Sequence, residues 1–332
     1  MRCTDKNMAR KCRAAAAALL CAVSLIGCGK QAYELDQPYD VYGMHLHFQD
    51  AKTTADPSND NLYFAKGLCV GGTKMETALP EYAKKAAAAG VFHLADGDIT
   101  YSQNIYKKLY PASTTKILTA YLALKYGTLT DVVTVSEKAA GQPADSSVCG
   151  LQAGDQLTLE ELLYGLLLKS GNDAAEAIAE HISGNTEEFA ALMNKESALL
   201  GATHSHFVNA HGLHDKQHYT CVYDLYLLFQ SALKYDLFKK IIHTPKYSVT
   251  YKNTGGSKVT QEWESTDLFL TGEVKPPKGI SVIGGKTGTT LKAGYCLALY
   301  SENAKKEPII TIVMKADSRE NLYHYMENLL VM

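Results

Sequence analysis

Long blocks of like charge are absent from this 332-residue chain, and so are apolar runs long enough to cross a bilayer. Charged residues make up 20% and hydrophobic residues 46% of the sequence, so most of the chain is expected to fold around a buried core. The formal net charge is -2, although the first 27 residues hold five basic residues against one acidic residue. The remainder is therefore acidic, which excludes a general electrostatic attraction to nucleic acid.

Metal-binding spacings are also missing. There is no CxxC and no HExxH pattern. Close histidine pairs occur at 45 and 47, at 204 and 206, and at 211 and 214, but they lie in loop-like stretches with no convincing further ligands nearby. We therefore expect neither a metal site nor a cofactor.

The cysteines divide into two groups. Three of the eight lie within the first 27 residues and a fourth is Cys28. The other four are widely spaced: Cys69, Cys149, Cys221 and Cys296. Of these, Cys221 and Cys296 fall in apolar helical or strand patterns. Buried free thiols are the prediction, and two disulfides are the alternative.

The N-terminus has the pattern of an export signal, because residues 1–13 are basic and residues 14–26 form a short apolar run. Residues 25–28 read Leu-Ile-Gly-Cys. This tetrapeptide resembles the lipobox of bacterial lipoproteins, which implies a signal peptide over 1–27, a lipidated Cys28 and an extracytoplasmic protein anchored to the membrane. The alternative is an ordinary signal peptide. Residues 28–60 are polar and irregular and are expected to be a tether.

The periodicity of the remaining residues predicts strands, then helices, then strands again and a closing helix. The segments before 127 are predicted as a helix over 81–89, a hairpin of 90–95 and 98–102, and a helix from Pro111 to Tyr126. Residues 127 to 245 are mostly helical in pattern. The later strands are predicted over 246–252, 259–264, 280–287, 293–301 and 309–315, followed by a helix over 318–332.

Hairpins at both ends of the chain can share one sheet. The expected fold class is therefore α+β, with an antiparallel five-stranded sheet flanked by helices. Residues 61–332 form the predicted domain, and an all-helical lobe at about 127–245 is inserted into it.

Three short motifs carry the candidate chemistry. Ser113 and Lys116 lie three residues apart near a predicted helix start, so the amine can reach the hydroxyl and the helix N-terminus favours negative charge on the attacking oxygen. Ser170 and Asn172 lie on a turn between two apolar helices and can both face one cleft. The third motif, Lys286-Thr287-Gly288, ends a predicted strand that can pair with an extended peptide.

Each motif has an ordinary structural interpretation when taken alone. Ser231 and Lys234 repeat the first spacing at a helix end, and residues 183–185 repeat Ser-Gly-Asn at a helix stop. The three motifs occur jointly, however, in the expected order and element context. The middle motif has Gly171 where the pattern commonly has aspartate.

The motifs and their surroundings resemble the penicillin-binding proteins, specifically the low-molecular-weight D-alanyl-D-alanine carboxypeptidases. The resemblance rests on the segments YPASTTK (110–116), LLLKSGNDAA (166–175), FVNAHGL (207–213), KTGTT (286–290) and AGYC (293–296). It implies the fold of serine β-lactamases and penicillin-binding transpeptidases. It also implies an enzyme that trims the terminal D-alanine of peptidoglycan stem peptides and is trapped by β-lactams.

The resemblance also implies roles for individual residues. Ser113 attacks the carbonyl, Lys116 takes its proton, and Ser170 protonates the leaving amine. Asn172 holds Lys116 and a substrate amide, while the backbone N–H groups of Ser113 and Thr289 stabilise the oxyanion. The residues that bind substrate are Lys286, Thr287, Gly288, Thr289 and His211.

One departure concerns the substrate carboxylate, which some members of this family bind with an arginine near the cleft. After the leader, this chain has only Arg319, in the closing helix. Carboxylate recognition is therefore expected to fall to Lys286, Thr287 and Thr289.

Three alternatives remain open. A β-lactamase of the same fold commonly carries a Glu-x-x-x-Asn signature, which does not occur between Ser170 and Lys286. A cross-link endopeptidase and a non-catalytic penicillin-binding sensor are the others.

Overall fold

The computed structural model describes residues 68–69 and 85–332. The predicted signal peptide (1–27), the lipidation site Cys28, the tether (28–60) and the first histidine pair therefore lie outside the described residues. Within the described part, no helix combines the length and apolar character that a membrane crossing requires.

The strands are β1 (Ala86–His93), β2 (Ile99–Gln103), β3 (Val132–Thr134), β4 (Gln156–Thr158), β5 (Lys246–Lys252), β6 (Lys258–Glu264), β7 (Ser281–Thr290), β8 (Gly294–Glu302) and β9 (Pro308–Ala316). The helices are α1 (Lys116–Tyr126), α2 (Glu137–Ala140), α3 (Leu159–Tyr164), α4 (Asn172–Ser183), α5 (Thr186–Leu199), α6 (Val222–Ala232), α7 (Asp236–Ile242), α8 (Leu268–Thr271) and α9 (Arg319–Leu329). A 3₁₀ turn, Ala112–Thr115, leads into α1, and a π turn, Gly165–Lys169, follows α3.

The main sheet is antiparallel and five-stranded, as predicted, and its strand order is β2-β1-β9-β8-β7. Its side chains alternate between two cores because strand side chains point to opposite faces. On β1, Val91 packs in a core with α9, whereas Phe92 belongs to the larger core and stacks on Tyr226 of α6. The sheet is thus covered by helices on both faces, and β7 forms one edge.

The helix predicted over 81–89 is wrong in its described part, because Ala86–Ala89 belong to β1. Alanine favours a helix intrinsically. Here β1 pairs with β2 on one side and with β9 on the other, and its small side chains are almost fully buried between helices. Tertiary packing therefore overrides the local preference.

A second sheet corrects two further predictions. Strands β5 and β6 form the predicted hairpin, but they pair through β4 with β3 in a separate four-stranded sheet and not with the main sheet. Strands β3 and β4 also interrupt the region expected to be all-helical. They are only three residues long each, too short for a period-2 pattern to stand out from the helical signal around them.

Candidate active site

The nucleophile turn begins at Pro111 and carries Ser113. Thr114 donates from both its backbone N–H and its hydroxyl to the Pro111 carbonyl, which fixes the turn before α1 starts. Ala112 adopts a left-handed conformation with φ of 48°, unusual for a residue with a side chain. Gly212 packs directly against it, since a Cβ at that position would lie 1.8 Å from the Ala112 carbonyl oxygen. Ser113 is left partly exposed at the cleft.

Lys116 is fully buried, and its amine has three oxygen neighbours. Nζ lies 2.7 Å from Asn172 Oδ1 and 2.8 Å from the His211 carbonyl oxygen, both of which can only accept hydrogen bonds. The third neighbour is Ser113 Oγ at 3.1 Å. A neutral amine that donates to the two carbonyl oxygens directs its lone pair at the Ser113 hydroxyl, as a general base requires.

The electrostatic environment favours this neutral form. Burial, and then the charge of Lys286, lower the pKa of Lys116 well below its usual value. Burial also lowers the pKa of Lys286 to about 7, although the nearby Asp267 carboxylate opposes that shift. The charge on Lys286 therefore favours an uncharged Lys116 beside it.

Ser170 and Asn172 reach the site from the end of the π turn and the start of α4. Ser170 adopts a left-handed conformation with φ of 61°, which reverses the chain between the two helices. Its Oγ accepts a hydrogen bond of 3.0 Å from Lys286 Nζ. The structure therefore links Ser170, the expected proton donor to the leaving amine, to Lys286.

The segment from Lys286 to Thr289 lies on β7, whose outer edge faces the nucleophile turn. Gly288 was expected to be one of the residues that bind substrate. The structure gives a different reason for this glycine, because a Cβ there would lie 2.9 Å from the Pro111 carbonyl oxygen and 3.0 Å from the Ser113 nitrogen. The missing side chain allows β7 to approach the nucleophile turn, and it places Thr287 and Thr289 on the cleft wall with Ser113.

His211 contributes to the site mainly through its backbone, since its carbonyl oxygen accepts from Lys116. Its ring lines the cleft with Ser113 and Asn172 and is 9% exposed. Nδ1 accepts from the backbone N–H of Leu213 at 3.2 Å, and Asn209 Oδ1 holds the backbone N–H groups of His211 and Gly212.

The cleft has two parts that meet at Ser113. One is lined by Ser170, Thr287, Thr289 and residues of α9. The other is lined by Asn172, His211 and the loop of residues 145–147, together with residues 289–292 at the end of β7 and in the turn after it. An extended substrate can therefore lie along β7 with its reacting carbonyl at Ser113 and its two ends in different parts of the cleft.

Arg319 lies at this cleft, which the sequence analysis did not expect. It lines the same part as Ser113, Ser170 and Thr287. Its side chain is exposed, and no hydrogen bond or ion pair to another described residue engages the guanidinium. Its position in the sequence could have indicated a role at the cleft, since the sole arginine after the leader is the first residue of the helix that follows β9.

Asp173 was also missed as a positioning residue. Its buried carboxylate accepts from the backbone N–H groups of Cys149, Gly150 and Leu151, all at 2.9 to 3.0 Å. It also accepts from the N–H of Ala174. These bonds fix the loop that brings Ser147 to the cleft. The same packing explains Gly171, because a Cβ there would meet Cys149 Sγ at 2.4 Å and Asp173 Oδ1 at 2.7 Å.

The four described cysteines are free and buried, as predicted. Cys149 and Cys296 lie near the cleft, and burial raises the pKa of both thiols. They therefore pack as neutral side chains.

Comparison with known proteins places this arrangement in a family. A family model described as D-alanyl-D-alanine carboxypeptidase matches residues 74–318. The chain belongs to this family. D-alanyl-D-alanine carboxypeptidase DacF of Bacillus subtilis is 32% identical over 245 residues, which are 72% of this chain and 60% of that protein. DacC of Escherichia coli is 34% identical over 246 residues, which are 71% of this chain and 58% of that protein.

Family members of known structure confirm the predicted fold. The Streptomyces K15 DD-transpeptidase is similar over 75% of this chain and 98% of its own, with a TM-score of 0.68 and 26% identity. The chain therefore has the α+β fold of the serine β-lactamases and penicillin-binding DD-peptidases. It spans about 60% of the length of DacF and 58% of that of DacC.

Proposed function

We propose that this protein is a serine-type D-alanyl-D-alanine carboxypeptidase that removes the terminal D-alanine from peptidoglycan stem peptides. The observation that carries the proposal is the buried Lys116 amine, 3.1 Å from Ser113 Oγ and held by two carbonyl oxygens that leave its lone pair free for the serine proton. Family membership supplies the substrate class.

Acylation begins when Ser113 Oγ attacks the carbonyl between the two D-alanines and Lys116 Nζ takes the hydroxyl proton. The backbone N–H groups of Ser113 and Thr289 stabilise the negative oxygen, and each such donor typically contributes about 3 kcal/mol to the rate. The C–N bond then breaks, and the leaving amine receives a proton through Ser170. Lys286 supplies a proton to Ser170 across their 3.0 Å contact.

Deacylation reverses these roles. Lys116 first passes the serine proton back to Lys286 by exchange with solvent, which restores the neutral Lys116 and the charged Lys286. A water molecule then attacks the acyl carbonyl and gives its proton to Lys116, which transfers it to Ser113 Oγ as the shortened peptide is released. Asn172 supports both steps, because Oδ1 holds Lys116 while Nδ2 is available to a substrate amide.

The substrate carboxylate is bound at the α9 end of the cleft. Arg319 presents a guanidinium with no partner among the described residues, and the Thr287 and Thr289 hydroxyls lie on the same wall. Lys286 is 1% exposed and already donates to Ser170 and the Thr287 carbonyl. Arg319 is therefore the stronger partner for a carboxylate, since guanidinium and carboxylate form paired hydrogen bonds.

A second candidate activity is cleavage of peptide cross-links. A wide groove continues past Arg319 and Tyr323 between residues 268–275 and α9. A leaving group larger than D-alanine can extend into it. Release of D-alanine from a pentapeptide, measured against cleavage of a cross-linked dimer, ranks the two activities.

Covalent labelling with a fluorescent penicillin tests the mechanism, since β-lactams resemble the substrate and acylate the same serine. Wild type should label stably, and Ser113→Ala should neither label nor release D-alanine. Ser231→Ala is the matched control, because Ser231 has the same spacing from Lys234 but donates to the Leu227 carbonyl within α6. Rapid turnover of the label would indicate a β-lactamase, and no labelling of wild type would indicate a binding module.

We further propose that the protein acts outside the cytoplasm and is held at the membrane by lipid on Cys28. The support is the Leu25-Ile26-Gly27-Cys28 tetrapeptide after an apolar run. Mass spectrometry of the membrane fraction should recover a lipidated N-terminal peptide that starts at Cys28. A peptide that spans Gly27 and Cys28 in the mature protein would contradict this assignment.

A further inference from the structure

A group of possible metal ligands lies outside the cleft, at the N-terminus of α6. Within the described residues, His204 Nδ1 or Nε2, Cys221 Sγ and a carboxylate oxygen of Asp224 all lie within 4.8 Å of one another. Cys221 is the N-cap of α6 and Asp224 lies three residues later, so their side chains share one face of its first turn. His204 comes from the loop after α5.

The sequence does not reveal this group, because His204 precedes Cys221 by 17 residues and the three residues match no standard metal-binding spacing. The apparent partner of His204 in sequence was His206. In the structure, His206 Nδ1 instead contacts the Gln217 carbonyl oxygen at 2.6 Å. The His204 ring packs beside Tyr106, with ring centroids 5.9 Å apart.

The Asp224 carboxylate is oriented by hydrogen bonds, as carboxylates that bind metals commonly are. Its Oδ2 accepts from the His204 backbone N–H at 2.7 Å and from the Ser205 hydroxyl at 2.6 Å. Oδ1 is left facing His204 Nδ1 at 3.9 Å. The carboxylate is 1% exposed, and no lysine or arginine of the described residues forms an ion pair with it. Such a buried charge is costly unless a cation balances it.

Cys221 supplies the buried sulfur of the group as a neutral thiol, because burial and the Asp224 charge raise its pKa. Its Sγ is buried and accepts a hydrogen bond from the Asp224 backbone N–H at 3.4 Å. The side of the group that faces solvent is His204, whose side chain is 49% exposed. A cation can therefore enter past a side chain that is free to turn.

We propose that His204, Cys221 and Asp224 bind one zinc-like divalent cation. Nitrogen, thiolate and carboxylate ligands together suit Zn²⁺ and Co²⁺ better than Mg²⁺ or Ca²⁺, which prefer oxygen alone. Metal–ligand bonds of about 2.0 to 2.3 Å require the three ligand atoms, now within 4.8 Å of one another, to close to about 3.5 Å when the cation binds. Binding forms a metal–sulfur bond and releases the Cys221 thiol proton to solvent, and water completes the coordination.

The site lies apart from Ser113, so its role is to fasten the His204 loop to α6. The inference does not depend on the proposed peptidase activity. Penicillin labelling of each variant reports separately on whether the catalytic domain is folded.

Titration of the purified, metal-free protein with Co²⁺ tests the proposal. Wild type should bind one equivalent and develop a thiolate-to-cobalt charge-transfer band, which Zn²⁺ should abolish by displacement. Cys221→Ser should lose the band. Cys69→Ser is the matched control, because Cys69 is similarly buried but donates to the His93 carbonyl and joins no group of possible metal ligands among the described residues. Its band should equal that of wild type.

A second set of variants addresses the histidine and the positioning hydroxyl. His204→Ala should weaken Co²⁺ binding at least tenfold and remove the Zn²⁺-dependent rise in Tm, and Ser205→Ala should weaken binding about ten- to hundredfold. His206→Ala should change neither. The proposal is overturned if wild type binds Co²⁺ without a sulfur band, as an adventitious ion would, or if Cys221→Ser retains the band. Equal affinity in His204→Ala and wild type would also overturn it.

Discussion

Lys116 and Lys286 are two buried amines that serve different neighbours. Lys116 contacts Ser113, Asn172 and the His211 carbonyl, whereas Lys286 contacts Ser170 and the Thr287 carbonyl. Burial lowers both pKa values, and the Lys286 charge lowers that of Lys116 further. One amine can therefore accept a proton while the other still carries one.

This arrangement predicts an alkaline limb in kcat/KM near pH 7. Lys286 has a pKa lowered to about 7, so above that pH the free enzyme loses the proton that it would supply to Ser170. Activity should then fall about tenfold per pH unit. Asp267→Asn removes the charge that raises the pKa of Lys286, so the limb should move to lower pH. Asp236→Asn, at an exposed position, should not move it, and a limb unaffected by Asp267→Asn would refute the assignment.

Arg319 and Lys286 predict different consequences for the substrate carboxylate. Arg319→Gln should raise KM about ten- to hundredfold at every pH, because one charge-assisted contact contributes about 1.5–3 kcal/mol. Lys286→Gln should lower kcat more than it raises KM, since Lys286 is engaged with Ser170. Lys305→Gln, in the turn between β8 and β9, is the control for loss of a surface charge. An unchanged KM in a folded Arg319→Gln protein would return carboxylate binding to Lys286 and the threonines.

The individual residues show where sequence reasoning succeeds. Ser113 and Lys116 are three apart in the chain, and their contact follows from helical spacing alone. Arg319 lines the same part of the cleft as Thr287, and Asp173 accepts from the Cys149 backbone N–H, although the members of each pair are distant in sequence. No local pattern reports such contacts, so only the fold reveals them.

At the scale of elements, the backbone of the nucleophile turn is approached closely by two neighbouring segments. Gly288 allows β7 to approach it, and Gly212 allows the 209–213 loop to approach Ala112. Strands β7, β8 and β9 lie close to the predicted ranges of 280–287, 293–301 and 309–315. The short strands β3 and β4 were missed, and the alanine-rich first half of β1 was predicted as a helix, because the state of these segments depends on pairing with distant strands.

The loop before β4 supplies the prediction at this scale. Asp173→Asn should lower the free energy of unfolding by about 1–3 kcal/mol, because an amide group would face backbone N–H groups that need an acceptor. It should also weaken penicillin acylation, since the loop that carries Ser147 loses its anchor. Asp155→Asn is a weaker perturbation, because Asp155 accepts a single backbone bond of this kind, from Gln152. Equal unfolding free energies for Asp173→Asn and wild type would show that the loop is fixed by other contacts.

Considered as a whole, the molecule buries two histidines that hold the site together in the neutral form. His218 Nδ1 accepts from the Val208 backbone N–H at 3.2 Å, so its proton lies on Nε2 and is donated to Thr115 Oγ1 at 2.8 Å. His211 Nδ1 likewise accepts from Leu213. Burial, which disfavours the charged ring, lowers the pKa of each to about 3, and the charge of Lys116 adds to the shift.

The consequence is a loss of stability in acid. Below about pH 6.5 each histidine binds a proton in the unfolded chain but not in the native protein, so each lowers the free energy of unfolding by about 1.4 kcal/mol per pH unit down to about pH 3. Asp267 acts in the opposite direction between its ordinary pKa and about 6, since burial raises its native pKa. Substitution of one histidine is therefore needed to measure its own contribution to the pH dependence of the free energy of unfolding.

His218→Gln makes that separation, because a glutamine can accept from Val208 and donate to Thr115 without titrating. Urea unfolding at pH 7 should show wild type at least as stable as the variant. As the pH falls below 6.5, the variant should gain on wild type by about 1.4 kcal/mol per pH unit, because only wild type carries a histidine that protonates on unfolding. His324→Gln, at an exposed position on α9, should follow wild type. A constant difference between wild type and His218→Gln across this range would mean that His218 is protonated equally in both states and that its two hydrogen bonds do not require the neutral ring.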